Sequence, residues 1–121
     1  MTLIAIIEDN PVNMRLVRSI LHKHDYETVV AIDAEQGITL IQEQHPDLIL
    51  MDIQLPGMDG LEATQILKSN KEFSHIPIIA LTASAMIGDE RKVLEAGCDA
   101  YLSKPVRYQE LLKTILEHLP C

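Results

Sequence analysis

The chain has 121 residues, 47% of them hydrophobic, which is the size and composition of one folded domain with its own core. Ten Lys and Arg against eighteen Asp and Glu give a formal charge of −8, so direct binding to nucleic-acid phosphates or anionic lipid lacks an electrostatic basis, and the expected partner is a protein or a cation. Apolar runs such as residues 3–7 fall far short of a membrane span, and acidic Glu8 and Asp9 follow where a signal peptide would stay apolar, so a cytoplasmic location without membrane insertion is expected.

Residues 3–7, rich in Ile, predict a first strand, and Asn10-Pro11 then supplies a helix cap followed by proline at the first helical position. Val12, Leu16, Val17, Ile20 and Leu21 recur at helical spacing and predict one apolar face, with Asn13, Arg15 and Lys23 directed elsewhere. Residues 26–32 predict a β-branched second strand, and Asp33 caps a helix whose buried stripe is Ala34, Gly37, Ile38 and Ile41, stopped at His45-Pro46. Residues 48–51 are apolar without alternation, as in a strand covered on both faces, and Asp52 follows directly.

After the Pro56-Gly57 loop, Asp59 predicts the cap of a third helix carrying Leu61, Ile66 and Leu67. Residues 76–81 predict the fourth strand, ended by Thr82. A helix over residues 84–96 closed by Gly97, a short strand over 100–102 and an amphipathic helix through Leu111, Leu112, Ile115, Leu116 and Leu119 complete the chain. Five strand–helix pairs with short links predict an α/β, three-layer, doubly wound domain over residues 1–121, with a flavodoxin-like parallel sheet of order 2-1-3-4-5 and five helices.

In such a sheet ligands bind beyond the carboxyl ends of the strands, near the reversal of strand order. The residues following the strands are Glu8 and Asp9, then Asp52, then Thr82, then Ser103-Lys104-Pro105. Any one polar residue there is ordinary for a strand end. Three carboxylates on adjacent strands repel one another unless a cation compensates, and an all-oxygen set with few protein ligands suits Mg²⁺. A carboxylate beside Mg²⁺ can act as nucleophile toward phosphorus, with Lys104 as the available cation and Thr82 as the available donor. Asp99, the nearest acid in sequence to Lys104, lies across the short strand, so a local ion pair explains that lysine poorly. The scattered histidines lack ligand spacing, and Cys98 and Cys121 read as reduced thiols.

The stretches Ile7-Glu8-Asp9-Asn10, residues 46–60 from Pro46 through Asp52 to Gly60, Ile79-Ala80-Leu81-Thr82-Ala83, and residues 97–105 ending in Ser103-Lys104-Pro105 occur in an order that resembles the two-component response-regulator receiver domain, the CheY-like family. The run over residues 80–86 is similar to DivK-like relay regulators and to hybrid-kinase receivers. This resemblance implies that Asp52 accepts a phosphoryl group from a histidine kinase or histidine phosphotransfer protein. It places Asp9, Asp52 and the Gln54 backbone carbonyl on Mg²⁺, with Glu8 acting mainly through water. Family members often carry Asp at the first of these positions, and the longer Glu8 still reaches a metal-bound water.

The same resemblance gives Lys104 and Thr82 the phosphoryl oxygens and makes Thr82 and Tyr101 the switch, transmitting through residues 83–87, where Met86 and Ile87 are candidate contacts. Pro11 and Met14 fall where the family docks its phosphodonor, and Gln54 and Ser84 where it tunes hydrolysis. The expectation is a phosphoacceptor switch, not a general enzyme, signalling to a separate downstream protein. A receiver excised from a hybrid kinase or longer regulator is the alternative. An aspartate-nucleophile phosphatase needs a second acid two residues after the nucleophile, where this chain has Gln54. A passive pseudo-receiver predicts loss of the acceptor or the lysine, and both are retained.

Overall fold

The computed structural model describes residues 2–82, 89–104 and 106–119. The elements alternate: β1 (Leu3–Ile7), α1 (Pro11–Lys23), β2 (Glu27–Ala31), α2 (Ala34–Gln44), β3 (Leu48–Asp52), α3 (Gly60–Ser69), β4 (Ile78–Thr82), α4 (Asp89–Glu95), β5 (Ala100–Ser103) and α5 (Tyr108–His118). The strands form one parallel sheet in the order β2-β1-β3-β4-β5. The expected topology is therefore observed.

Both faces of the sheet are covered. Ala5, Ile7, Ile49, Met51, Ile78 and Ala80 pack on one side with Ile41 of α2, Ala63 and Leu67 of α3 and Val93 of α4. Ile4, Ile6, Leu48, Leu50, Ile79 and Leu81 pack on the other with Val17 and Leu21 of α1 and Leu111 and Ile115 of α5. This division accounts for the absence of alternation in β3 and β4, all of whose residues are buried. Each fully buried Ile or Leu contributes about 1.5–3 kcal/mol relative to an exposed one, so the sheet is a stiff platform for whatever its carboxyl ends carry.

Local chemistry sets the helix starts. The Asn10 side chain accepts from the Val12 and Asn13 backbone N–H groups, with Pro11 first in the helix. Asp33 and Asp59 likewise cap α2 and α3 through Gln36 and Glu62. His45 ends α2 in the left-handed region at φ 48°.

Several expectations are revised. The second strand spans Glu27–Ala31, β3 includes Asp52, and β4 begins at Ile78 and includes Thr82. Val12 and Leu16 are 75% and 45% exposed and Ile66 is 43% exposed, so only Val17, Ile20 and Leu21 of the expected α1 face are buried. One apolar stripe suffices for a helix lying on a sheet, and the flanking apolar positions stay at the surface. Residues 83–88, which include Ala83, Ser84, Met86 and Ile87, lie outside the described residues, as do Pro105 and Cys121. The fourth helix, α4, is Asp89–Glu95.

Gly60 ties the fold to the end of β3. A Cβ there would stand 2.2 Å from the Asp52 carbonyl oxygen and 2.8 Å from Ile53 Cα, while the Gly60 N–H donates to the Ile53 carbonyl at 3.0 Å. Backbone cannot yield as a flexible side chain can. Gly60→Ala is expected to cost about 3 kcal/mol, read as a lower urea midpoint at unchanged slope. A midpoint equal to that of the parent protein would contradict this packing.

Candidate functional site

Parallel register brings the polar strand ends together. Ile7 pairs with Met51, Asp52 with Leu81 and Thr82 with Ser103, so Glu8, Asp52, Thr82 and Lys104 emerge side by side along the carboxyl edge. Glu8 is held at this edge by its N–H to the Ala31 carbonyl at 3.0 Å, and Lys104 by its N–H to the Thr82 carbonyl at 2.7 Å. Glu8 and Asp52 are each 1% exposed and Thr82 is 5% exposed, whereas Asp9 lies at the surface.

One ligand oxygen from each of Glu8, Asp9 and Asp52 lies within 4.8 Å of the others. The clustering expected from sequence is thus observed. The Lys104 ammonium bridges two of the three carboxylates, donating at 3.0 Å to both Glu8 carboxylate oxygens and at 3.0 Å to Asp52 Oδ2. Asp52 Oδ1 accepts the Gln54 backbone N–H at 3.0 Å, and Glu8 Oε1 also accepts from Asn13 Nδ2 at 3.1 Å. Asp99, by contrast, pairs with Lys68 at 3.0 Å and accepts the Ile78 N–H. Lys104 is thereby committed to the cluster, not to its neighbour in sequence.

The electrostatics follow from burial. Burial pushes the Asp52 carboxyl above the ordinary carboxylate range, as does adjacent Glu8, against the lowering effect of the Gln54 N–H and Lys104. Burial alone would depress the Lys104 ammonium, but Glu8 and Asp52 overcome it and hold the group above its usual value. Buried Glu8 and Asp52 share the partly buried Lys104 ammonium, and Asp9 adds a further carboxylate at the surface, which leaves the cluster with an excess of negative charge. Three convergent carboxylates with no Cys or His among them suit a hard divalent ion that keeps several waters, and Mg²⁺ fits this donor set.

Beside the cluster a groove of about 810 Å³ runs along α1, lined by Glu8, Asp9, Pro11, Met14, Arg15 and Arg18 among others. The helix carries Arg15, Arg18 and Lys23 and no acid. Tyr101 is half-buried and packs on the core beneath α2, α3 and α4. The sequence reading missed Asn13, placing it only off the apolar face of the helix and giving it no part in the site. Its place three residues after the Asn10 cap, where side chains reach back toward the preceding loop, was the available signal. Cys98 is buried beside the Thr64 hydroxyl, with its thiol pushed up by burial, and has no part in this site.

Comparison with known proteins places this geometry. Residues 4–116 match the response regulator receiver domain. The chain is 47% identical over 116 residues to the polar-differentiation response regulator DivK of Brucella ovis, covering 96% of this chain and 94% of that protein. Its fold is similar to the receiver domain of the sensor histidine kinase PA1611 from Pseudomonas aeruginosa PAO1, a structure with a magnesium ion coordinated in its active-site cleft, at a TM-score of 0.90, 36% identity and coverage of 97% and 96%. It is likewise similar to the BeF3-activated N-terminal receiver domain of Klebsiella pneumoniae RstA, at a TM-score of 0.91, 31% identity and coverage of 99% and 100%. Among the described residues no helix is long and apolar enough to cross a membrane. With its acidic cluster at the carboxyl edge of a 2-1-3-4-5 sheet, the chain belongs to the response-regulator receiver domains, the phosphoacceptor switches of two-component signalling, and is not a general enzyme.

Proposed function

We propose that Asp52 is the phosphoryl acceptor and that the donor is a phosphohistidine on a histidine kinase or histidine phosphotransfer protein. The observation that carries this reading is the buried Asp52 carboxylate, held at one oxygen by the Gln54 N–H and at the other by Lys104, within a ligand cluster with Glu8 and Asp9. A carboxylate oxygen of Asp52 attacks phosphorus, an O–P bond forms, the N–P bond to the donor imidazole breaks, and its electron pair returns to the ring nitrogen, which then takes a proton. Bound Mg²⁺ supplies charge neutralisation on the transferring oxygens. Asp9, Asp52 and the Gln54 carbonyl would hold it, with Glu8 acting through water.

Lys104 turns from the carboxylates to a phosphoryl oxygen once Asp52 is phosphorylated, because the modification removes the Asp52 charge, one of the two it paired with, and places a larger one beside it. Thr82, buried at the end of β4, and Tyr101, two residues before Ser103 on β5, are the elements that carry the change outward. The groove along α1, with cationic Arg15 and Arg18 and exposed Val12 and Leu16 on the same helix, supports docking of the phosphodonor's helices. Signalling then passes to a downstream protein.

The test is transfer from a purified, histidine-phosphorylated phosphotransfer domain, followed by intact mass and peptide mapping. One phosphoryl group on the peptide containing Asp52 is expected, and its appearance on any other residue would overturn the assignment. For the switch, Thr82→Ala is expected to accept phosphoryl while losing most of the phosphorylation-dependent NMR shifts around β4 and β5. Shifts of parental size would contradict that role.

A further inference from the structure

We propose that Asn13 is a positioning residue for the metal site: it fixes the Glu8 carboxylate in the orientation from which that group serves Mg²⁺. This rests on the reading of the Glu8, Asp9 and Asp52 cluster as the Mg²⁺ site.

Asn13 Nδ2 donates to Glu8 Oε1 at 3.1 Å from the first turn of α1. The helix does not need that side chain for its own start. Asn10 Oδ1 already accepts the Val12 and Asn13 N–H groups at 2.9 and 3.2 Å, and the Asn10 carbonyl accepts the Met14 N–H at 3.0 Å. Asparagine is also a poor helix former. The first turn of a helix ordinarily favours Asp or Glu, yet α1 has none there. An acid at residue 13 would add another anion to a cluster served by one lysine, whereas an amide brings a donor and no charge.

Glu8 needs such a donor more than an aspartate would. It has an additional rotatable bond, so more side-chain freedom is lost when its carboxylate is held in one orientation. Before phosphorylation Lys104 shares that task through both Glu8 oxygens. When Lys104 turns to a phosphoryl oxygen, Asn13 keeps its grip on Oε1, and the Glu8 carboxylate stays in place to reach a metal-bound water. Groups that hydrogen-bond a metal's ligands commonly change affinity 10–100-fold when removed.

The test is Mg²⁺ titration by isothermal calorimetry of the parent protein, Asn13→Ala, Asn13→Leu, Glu8→Ala and the Asn13→Ala/Glu8→Ala pair. Mg²⁺ affinity about tenfold weaker in both single Asn13 variants is expected, with little further loss when Asn13→Ala is added to Glu8→Ala. An unchanged dissociation constant, or a full additional loss on the Glu8→Ala background, would overturn the proposal. If the parent protein itself binds no Mg²⁺, the metal reading fails first and the two failures are told apart. A second readout needs no Asn13 variant: the side-chain amide resonances of Asn13 in the ¹⁵N-labelled, metal-free protein are expected to shift on Glu8→Gln. Resonances that stay in place would equally reject the link.

Discussion

Asp52→Asn is expected to abolish the phosphoryl adduct that the parent protein forms with acetyl phosphate and Mg²⁺, as read by intact mass. Asparagine preserves the size of the side chain and an acceptor for the Gln54 N–H, so the loss reports nucleophilicity and not shape. An adduct persisting in the variant would move the acceptor elsewhere. The same substitution carries a stability signature. Burial raises the Asp52 pKa above its unfolded value, so the ionised carboxylate works against folding at neutral pH, and stability attached to this group grows as pH falls through the raised pKa. Metal-free Asp52→Asn is therefore expected to melt no lower than the parent protein at neutral pH. The difference narrows at acidic pH, where the parent carboxyl is also neutral. A variant much less stable at neutral pH would contradict the charge balance described for the pocket.

Lys104→Ala is expected to have the second large effect, in both stability and chemistry. The lysine side chain is 16% exposed and is paired with Glu8 and Asp52, which are nearly inaccessible. Removing one partner of a buried ion pair leaves uncompensated charge and costs about 3 kcal/mol. Three features identify that origin. The loss is greatest at neutral pH and shrinks on acidification, because Asp52, freed of the lysine, takes up a proton more readily. Added Mg²⁺ restores part of the loss by supplying positive charge to the same carboxylates. Phosphorylation is weakened even where the fold is retained, since the transferring oxygens lose a cation. Urea denaturation with and without Mg²⁺ at two pH values measures the first two. A penalty independent of both pH and Mg²⁺ would show that Lys104 acts by packing alone.

Layering was legible in the sequence because residues 48–51 are apolar without alternation, and strict strand–helix alternation, punctuated by the caps Asn10, Asp33 and Asp59, made the 2-1-3-4-5 parallel sheet the expected topology. The clustering of Glu8, Asp9 and Asp52 was legible for the same reason, since parallel register fixes which residues emerge together. Side-chain direction was less so. Val12 and Leu16 have the right spacing for a buried face but are exposed, because the sheet needs only the stripe through Val17, Ile20 and Leu21. The partners of Lys104 followed by elimination only in part: its separation from Asp99 was readable, but its simultaneous contact with both Glu8 oxygens depends on side-chain torsions. Asn13 was hidden by its membership of a helix, where periodicity says only that it lies off the apolar face, while its proximity to the cap brings its side chain to Glu8.

The central claim is that the carboxylates of Glu8, Asp9 and Asp52 share one divalent ion and that this prepares Asp52 for phosphorus. The most direct measurement is the anomalous difference density of a crystal soaked in Mn²⁺ as a Mg²⁺ substitute. One strong peak bonded to Asp9 and Asp52 at the carboxyl edge of β1 and β3, with Glu8 reaching it directly or through one water, is the predicted result. A peak only at other surface acids, with Lys104 still bridging an unchanged Glu8 and Asp52, would contradict the account.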